Sequence, residues 1–119
     1  MKRLIWIGSS YEDLKSFPRQ VRSSMGYALY AAQIEKKLSQ TKVLSGMGSA
    51  KVIEIRENGR SGTYRVIYTV EMQEAILVLH AFQKKSTSGI ATPKQELELL
   101  KNRLKEARLF YRSLMEKEK

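Results

Sequence analysis

Arg65, Lys84 and Lys85 are the side chains of this sequence best suited to chemistry on a phosphate. Arg65 lies just inside a strand-like run, GTYRVIYTV, and the two lysines close the next one, AILVLHAFQKK. Adjacent antiparallel strands lie about 4.8 Å apart, so cations carried by two of them can converge on one phosphate-sized site. A guanidinium grips phosphate through paired hydrogen bonds, and ammonium groups add charge where oxygens become more negative in a transition state. Strand periodicity puts Val66 and Tyr68 on one face and Arg65, Ile67 and Thr69 on the other. The expectation is that Arg65 points away from the helix-packed face, at a sheet edge.

The groups that could move protons are few. His80 is the only histidine, and it shares strand parity with Phe82 and Lys84. Glu54 alternates with Ile53 and Ile55 in KVIEIRE and points to the Arg65 face, where it can accept a proton or pair with a neighbouring arginine. Phe82 is the candidate for stacking on a base, and Arg56, Gln83 and Lys51 are further candidate nucleic-acid contacts. No His, Cys or carboxylate spacing suggests a metal, no Ser-His-Asp pattern occurs, and GMG at 46–48 is too short for a phosphate-binding loop. No cofactor is expected.

The formal charge of +10 favours an anionic partner, nucleic acid foremost. From Pro93 onward eight Lys and Arg face five Glu, which leaves +7 for the preceding residues. The excess is therefore displayed on the folded body rather than on a detachable basic tail. Cysteine is absent, which excludes disulfides and thiolate zinc sites. MKRLIWIGSS is too short in apolar residues for a signal peptide, and no run reaches the roughly 20 residues of a membrane span. A cytoplasmic protein with no membrane contact is expected.

Those side chains need a scaffold, and 119 residues are enough for one domain spanning 1–119. Residues 4–7 read as a short opening strand. Leu14, Phe17, Val21, Met25, Ala28, Leu29 and Ala32 then recur at three- and four-residue steps, as one apolar helical stripe. Pro18 divides it into a short helix and a longer one reaching about Leu38. After a Gly/Ser-rich loop at 45–50, three strand-like runs joined by short turns argue an antiparallel meander, with one face on the helices and the other polar and working. Thr92-Pro93 reads as a helix start, and Leu97, Leu100, Leu104, Ala107, Tyr111 and Leu114 as the apolar stripe of a C-terminal helix over about 93–115, packed through its first half and fraying beyond. The fold class is α+β.

Together the runs LKSFPRQVRSSMGYAL, LSGMGSAKVIEIRE, GTYRVIYTV, LHAFQKKS and GIATPKQELELL resemble the phage-derived HigB-like branch of the RelE/ParE toxin superfamily, over roughly residues 14–107. The resemblance implies N-terminal helices on a curved antiparallel sheet. It also implies a type II toxin that cuts mRNA on the ribosome and is neutralised by an antitoxin, commonly a helix-turn-helix protein encoded nearby. Arg65 matches the strand arginine that RelE-type toxins use on the scissile phosphate, and Lys84 and Lys85 fall where a second basic group lies. Glu54 stands where those toxins carry a lysine, and their late catalytic tyrosine has no counterpart near Ile90. The implied reaction is attack of a ribose 2′-OH on the adjacent phosphate, with Arg65 and Lys84 or Lys85 stabilising charge, Glu54 accepting the proton, and His80 or a lysine assisting the leaving group. A ParE-like gyrase poison and a non-catalytic, phage-derived regulator are the alternatives.

Overall fold

The computed structural model describes residues 1–84 and 94–119. The elements run β1 (Arg3–Trp6), α1 (Ser10–Lys15), α2 (Arg19–Gln33), β2 (Thr41–Val43), β3 (Val52–Gly59), β4 (Gly62–Thr69), β5 (Ala75–Lys84) and α3 (Lys94–Lys117). They build one five-stranded sheet in the order β1-β5-β4-β3-β2. β1 runs parallel to β5, and every other neighbouring pair is antiparallel. The meander expected from the three strand-like runs is β3-β4-β5. The sequence-based reading has no strand at 41–43, because three residues are too few to establish an alternation.

Period and punctuation explain the helices. Pro18 sits at the N-cap of α2, with an extended backbone that separates the two helical pieces. α2 stops at Gln33, short of the expected Leu38, because the chain reverses at Glu35. There the backbone is left-handed, with φ of 60°, and the Lys36 N–H donates to the Ala31 carbonyl at 2.7 Å. Glycine normally fills that position, since any Cβ is strained in it. Glu35→Gly is expected to raise stability by about 0.5–1 kcal/mol, read as a higher urea midpoint at unchanged slope.

The sheet is covered on both faces. Phe17, Val21, Met25 and Leu29 pack on one side against Ile55, Tyr64, Val66 and Val78. On the other, Leu100, Leu104 and Ala107 of α3 pack with Val52, Ile67, Leu77 and Leu79. This corrects the expectation of an open polar face: an amphipathic helix as long as α3 must bury its stripe, and the second sheet face is the apolar surface that receives it. It also corrects the expected sheet edge, because β1 and β2 flank the meander and make β4 the central strand. The loop at 45–50 joins this second core through buried Met47, and Gly46 approaches the Leu97 side chain so closely that a Cβ would stand 3.0 Å from it. α3 continues to Lys117 rather than fraying, its second half tied down by ion pairs from Arg108 to Glu71 and, just past its end, from Arg3 to Glu118. Thr92 and Pro93, read as its start, lie outside the described residues. No helix among the described residues is long and apolar enough to cross a membrane.

Candidate active site

Strand register sets the site out as a grid. Asn58–Thr63–Lys84, Arg56–Arg65–Phe82 and Glu54–Ile67–His80 are three successive rows across β3, β4 and β5. Residues opposite one another across a ladder share a face, so these side chains lie on the α3 side of the sheet. A β-bulge between Ile67 and Tyr68 absorbs Leu79 and keeps His80 in step with Phe82 and Lys84. The structure thus brings Glu54, Arg56, Arg65, His80, Phe82 and Lys84 together on one face.

Arg65 is fully buried, and its Nη1 donates to Glu54 Oε2 at 3.2 Å; Glu54 is 1% exposed. The open presentation expected for Arg65 is therefore corrected: the guanidinium lies in the middle of a sheet that is covered on this face too. Arg56 directly opposite would repel it, and the Glu54 carboxylate, two residues from Arg56 on β3 and diagonal to Arg65, offsets that repulsion. The Lys42 ammonium stands 3.8 Å from the other Glu54 oxygen. A cleft of about 220 Å³ beside β2 opens onto Lys42, Glu54, Arg56 and Asn58.

The other end of the rows is organised by His80. Its ring stacks on Phe82 with centroids 4.8 Å apart. Nε2 meets Glu96 at 2.5 Å, and Arg103 Nη1 approaches Nδ1 at 3.3 Å. A guanidinium only donates, so Nδ1 accepts and Nε2 carries the proton shared with Glu96. Arg103 also donates to the Leu79 carbonyl and the Ser9 hydroxyl, and its guanidinium fills the space where a Cβ on Gly8 would stand. His80 thus fastens α3 to β5. Neither Glu96 nor Arg103 was singled out in the sequence, although both fall on the helical stripe of Leu100 and Ala107, where a charged pair seven residues apart calls for buried partners.

Burial pushes the His80 imidazole below its ordinary value, against the opposing pull of Glu96 and the weaker one of Asp13, while Arg103 adds to the fall. A depressed pKa makes the histidine's contribution fully present above about pH 6.5, and lost as pH falls through the folded value, because the unfolded chain takes up the proton first. The melting-temperature advantage of wild type over His80→Gln is accordingly expected to shrink on going from about pH 7.5 to pH 5. An advantage that grew on acidification would show that Glu96 outweighs burial.

Beside this cluster a groove of about 470 Å³ runs along β5, lined by His80, Phe82, Gln83 and Tyr64, with Asp13 of α1 and Ser16 at its C-cap across from them. The Gln83 amide donates to the Ser61 carbonyl. Lys84 ends β5 half-buried, while Lys85 lies outside the described residues. Lys51 is not part of this site: strand parity places it with Ile53 on the α2 side, in a different groove. No group of three or more His, Cys, Asp or Glu among the described residues could hold a metal ion.

A family model described as phage-derived protein Gp49-like (DUF891) matches residues 12–105. The chain belongs to that family. Solved structures similar to this Gp49-like chain include the isolated Escherichia coli RelE toxin, at 17% identity and a TM-score of 0.55, over 74% of this chain and 89% of that one. The intact E. coli RelBE toxin-antitoxin complex matches at 17% identity and 0.54, over 72% and 100%. The Mycobacterium tuberculosis RelBE2 toxin-antitoxin complex matches at 17% and 0.50, over 70% and 98%. At these identities the likeness is one of fold, and the Gp49-like chain has the RelE-like α+β fold. Comparison with curated proteins gives no match.

Proposed function

We propose that this Gp49-like protein is the toxin of a type II toxin-antitoxin system of the HigB-like branch, an endoribonuclease that cuts translated mRNA by metal-independent attack of a 2′-OH on the neighbouring phosphate. One observation carries the reading: the register places Arg65, Phe82, His80 and Lys84 in adjacent rows with Glu54 and Arg56, with a cleft at one end and a groove at the other. The family match and the RelE-like fold support it. RNA lies across these openings in the cytoplasm, on the ribosome, and a helix-turn-helix antitoxin encoded nearby holds the toxin inactive.

The residues divide the work by accessibility. Lys84, part-exposed at the end of β5, takes the phosphate and stabilises the crowded phosphorane. Arg56 contacts the strand at the cleft, and Phe82 and Gln83 border the space for a base in the groove. Buried Arg65 fixes the Glu54 carboxylate, and its guanidinium touches phosphate only if the cover over this face shifts. Glu54 stands two strands and two rows from Lys84, too far to reach the 2′-OH beside a phosphate held there, and its part is to hold Arg65 and Lys42 in place; water takes the 2′-OH proton. Both ring nitrogens of His80 are engaged, which leaves a lysine, Lys84 or Lys85, to protonate the departing 5′ oxygen.

The burial of the Arg65–Glu54 pair favours a second reading, in which the family's fold serves as a binding module without catalysis, as a gyrase poison or a regulator. Induction of the protein with and without the adjacent reading frame, followed by mapping of RNA 5′ ends, separates them. New 5′-hydroxyl ends and growth arrest, both suppressed by the neighbouring product, are the expected result. Arrest without new ends overturns the nuclease reading.

A further inference from the structure

A second basic groove opens on the opposite face of the sheet from the rows just described. It is about 420 Å³ in volume and lies beyond the end of α2, over β2, β3 and β4. Five lysines border it, Lys2, Lys36, Lys37, Lys42 and Lys51, against one acidic residue, Glu35. Lys2 is paired with Glu35 and Lys42 with Glu54, whereas Lys36, Lys37 and Lys51 are exposed and have no ion pair among the described residues. The floor is apolar: Ala32, Ile53, Val70 and the edge of Tyr68.

The simplest account of Lys36 and Lys37 is that they offset the negative end of the α2 dipole. That account does not reach Lys51, which arrives from the start of β3, nor the apolar floor between them. The left-handed backbone at Glu35 holds the turn that aims residues 36 and 37 along the rim, and such strain persists only where the surrounding structure enforces it. Beside the groove runs β2, the outermost strand of the sheet, with Val43 69% exposed. An unpaired edge next to an apolar floor is the geometry that accepts an added strand, while lysines along an edge repel cationic chains and admit acidic ones.

We infer that this groove binds an extended acidic segment of a protein partner, one that alternates carboxylates with aliphatic side chains: the aliphatic residues enter the floor and the carboxylates meet Lys36, Lys37 and Lys51. Nucleic acid is the poorer occupant. Tyr68 is only 5% exposed and offers no ring face for a base, the rest of the floor is aliphatic, and no arginine borders it to grip phosphate through paired bonds. The inference rests on the reading of a toxin held by a protein partner, and it adds the surface and the chemistry of the segment.

Binding of a labelled peptide of alternating glutamate and leucine to the full-length protein tests it, beside a control with lysine for glutamate and an oligouridylate of matching length. The glutamate peptide is expected to bind, the lysine peptide not to, and added salt to weaken the complex. Lys36→Glu with Lys37→Glu is expected to weaken binding about tenfold or more. Ala32→Phe, which fills the floor without changing charge, should weaken it too, and melting curves confirm that both variants are folded. Equal binding of the two peptides, affinity unchanged in both variants, or oligouridylate bound in place of the peptide would each overturn the inference. Because RNA ends are read separately, peptide binding without cleavage removes only the nuclease reading, and cleavage without peptide binding removes only this one.

Discussion

Arg65→Ala is expected to cost about 3–5 kcal/mol of folding stability, a large part of the roughly 5–15 kcal/mol that holds a domain of this size together. The reason is burial. Neither the Arg65 guanidinium nor the Glu54 carboxylate has more than 1% of its surface in water, and they stand 3.2 Å apart. Removing the guanidinium leaves the interior Glu54 carboxylate opposite a void, with the exposed Lys42 ammonium at 3.8 Å a poorer counter-ion, and favours its protonation or hydration at the expense of packing. Urea denaturation checks this, and the double variant Arg65→Met/Glu54→Leu makes the check specific. It replaces both charges by apolar groups of similar bulk and is expected to recover most of the loss, since the desolvation cost disappears with the charges. A single variant as stable as wild type would mean that the pair contributes little. The outcome changes how activity data are read: loss of growth arrest in Arg65→Ala alone does not separate a missing phosphate ligand from a missing fold.

The sequence carried the local information well and the packing information less so. Parity in β3 and β4 sorted Glu54, Arg56 and Arg65 from Ile53, Ile55, Val66 and Tyr68 correctly, because a strand with two different faces reveals its alternation. The three-residue strand β2 and the parallel pairing of β1 with β5 depend on long-range partners that no local pattern announces. The exposure of Arg65 was misread for a related reason. An arginine in an alternating strand looks like a solvent residue, because neither the central place of β4 in the sheet nor the pairing with Glu54 of β3 is announced by the local pattern. His80 shows the same limit. Its uniqueness drew attention to it, but its engagement by Glu96 and Arg103 follows from the docking of α3, and the charged pair on that helix's apolar stripe was the only hint in the sequence.

On the proposed reaction, Lys84 is the side chain whose removal separates chemistry from folding. It stands one row beyond Arg65 and Phe82, paired in the ladder with Thr63, half-buried at the end of β5. No ion pair ties it to a carboxylate among the described residues, so its loss leaves no buried charge behind. Lys84→Ala is therefore expected to shift stability by no more than about 0.5 kcal/mol. In the proposed site its ammonium meets the phosphate, and losing one donor to a developing phosphorane lowers the cleavage rate by about 10²–10³. Lys84→Arg, which keeps the charge, should retain much of the rate, and Lys85→Ala measured beside it assigns the division of labour between the two lysines. The measurement is single-turnover cleavage of labelled mRNA on purified ribosomes, with thermal melting as the control. If Lys84→Ala and Lys85→Ala each cleave at the wild-type rate, charge stabilisation does not come from the end of β5; the phosphate would then be sought at Arg56 and the cleft beside β2, where Lys42 and Arg56 flank Glu54.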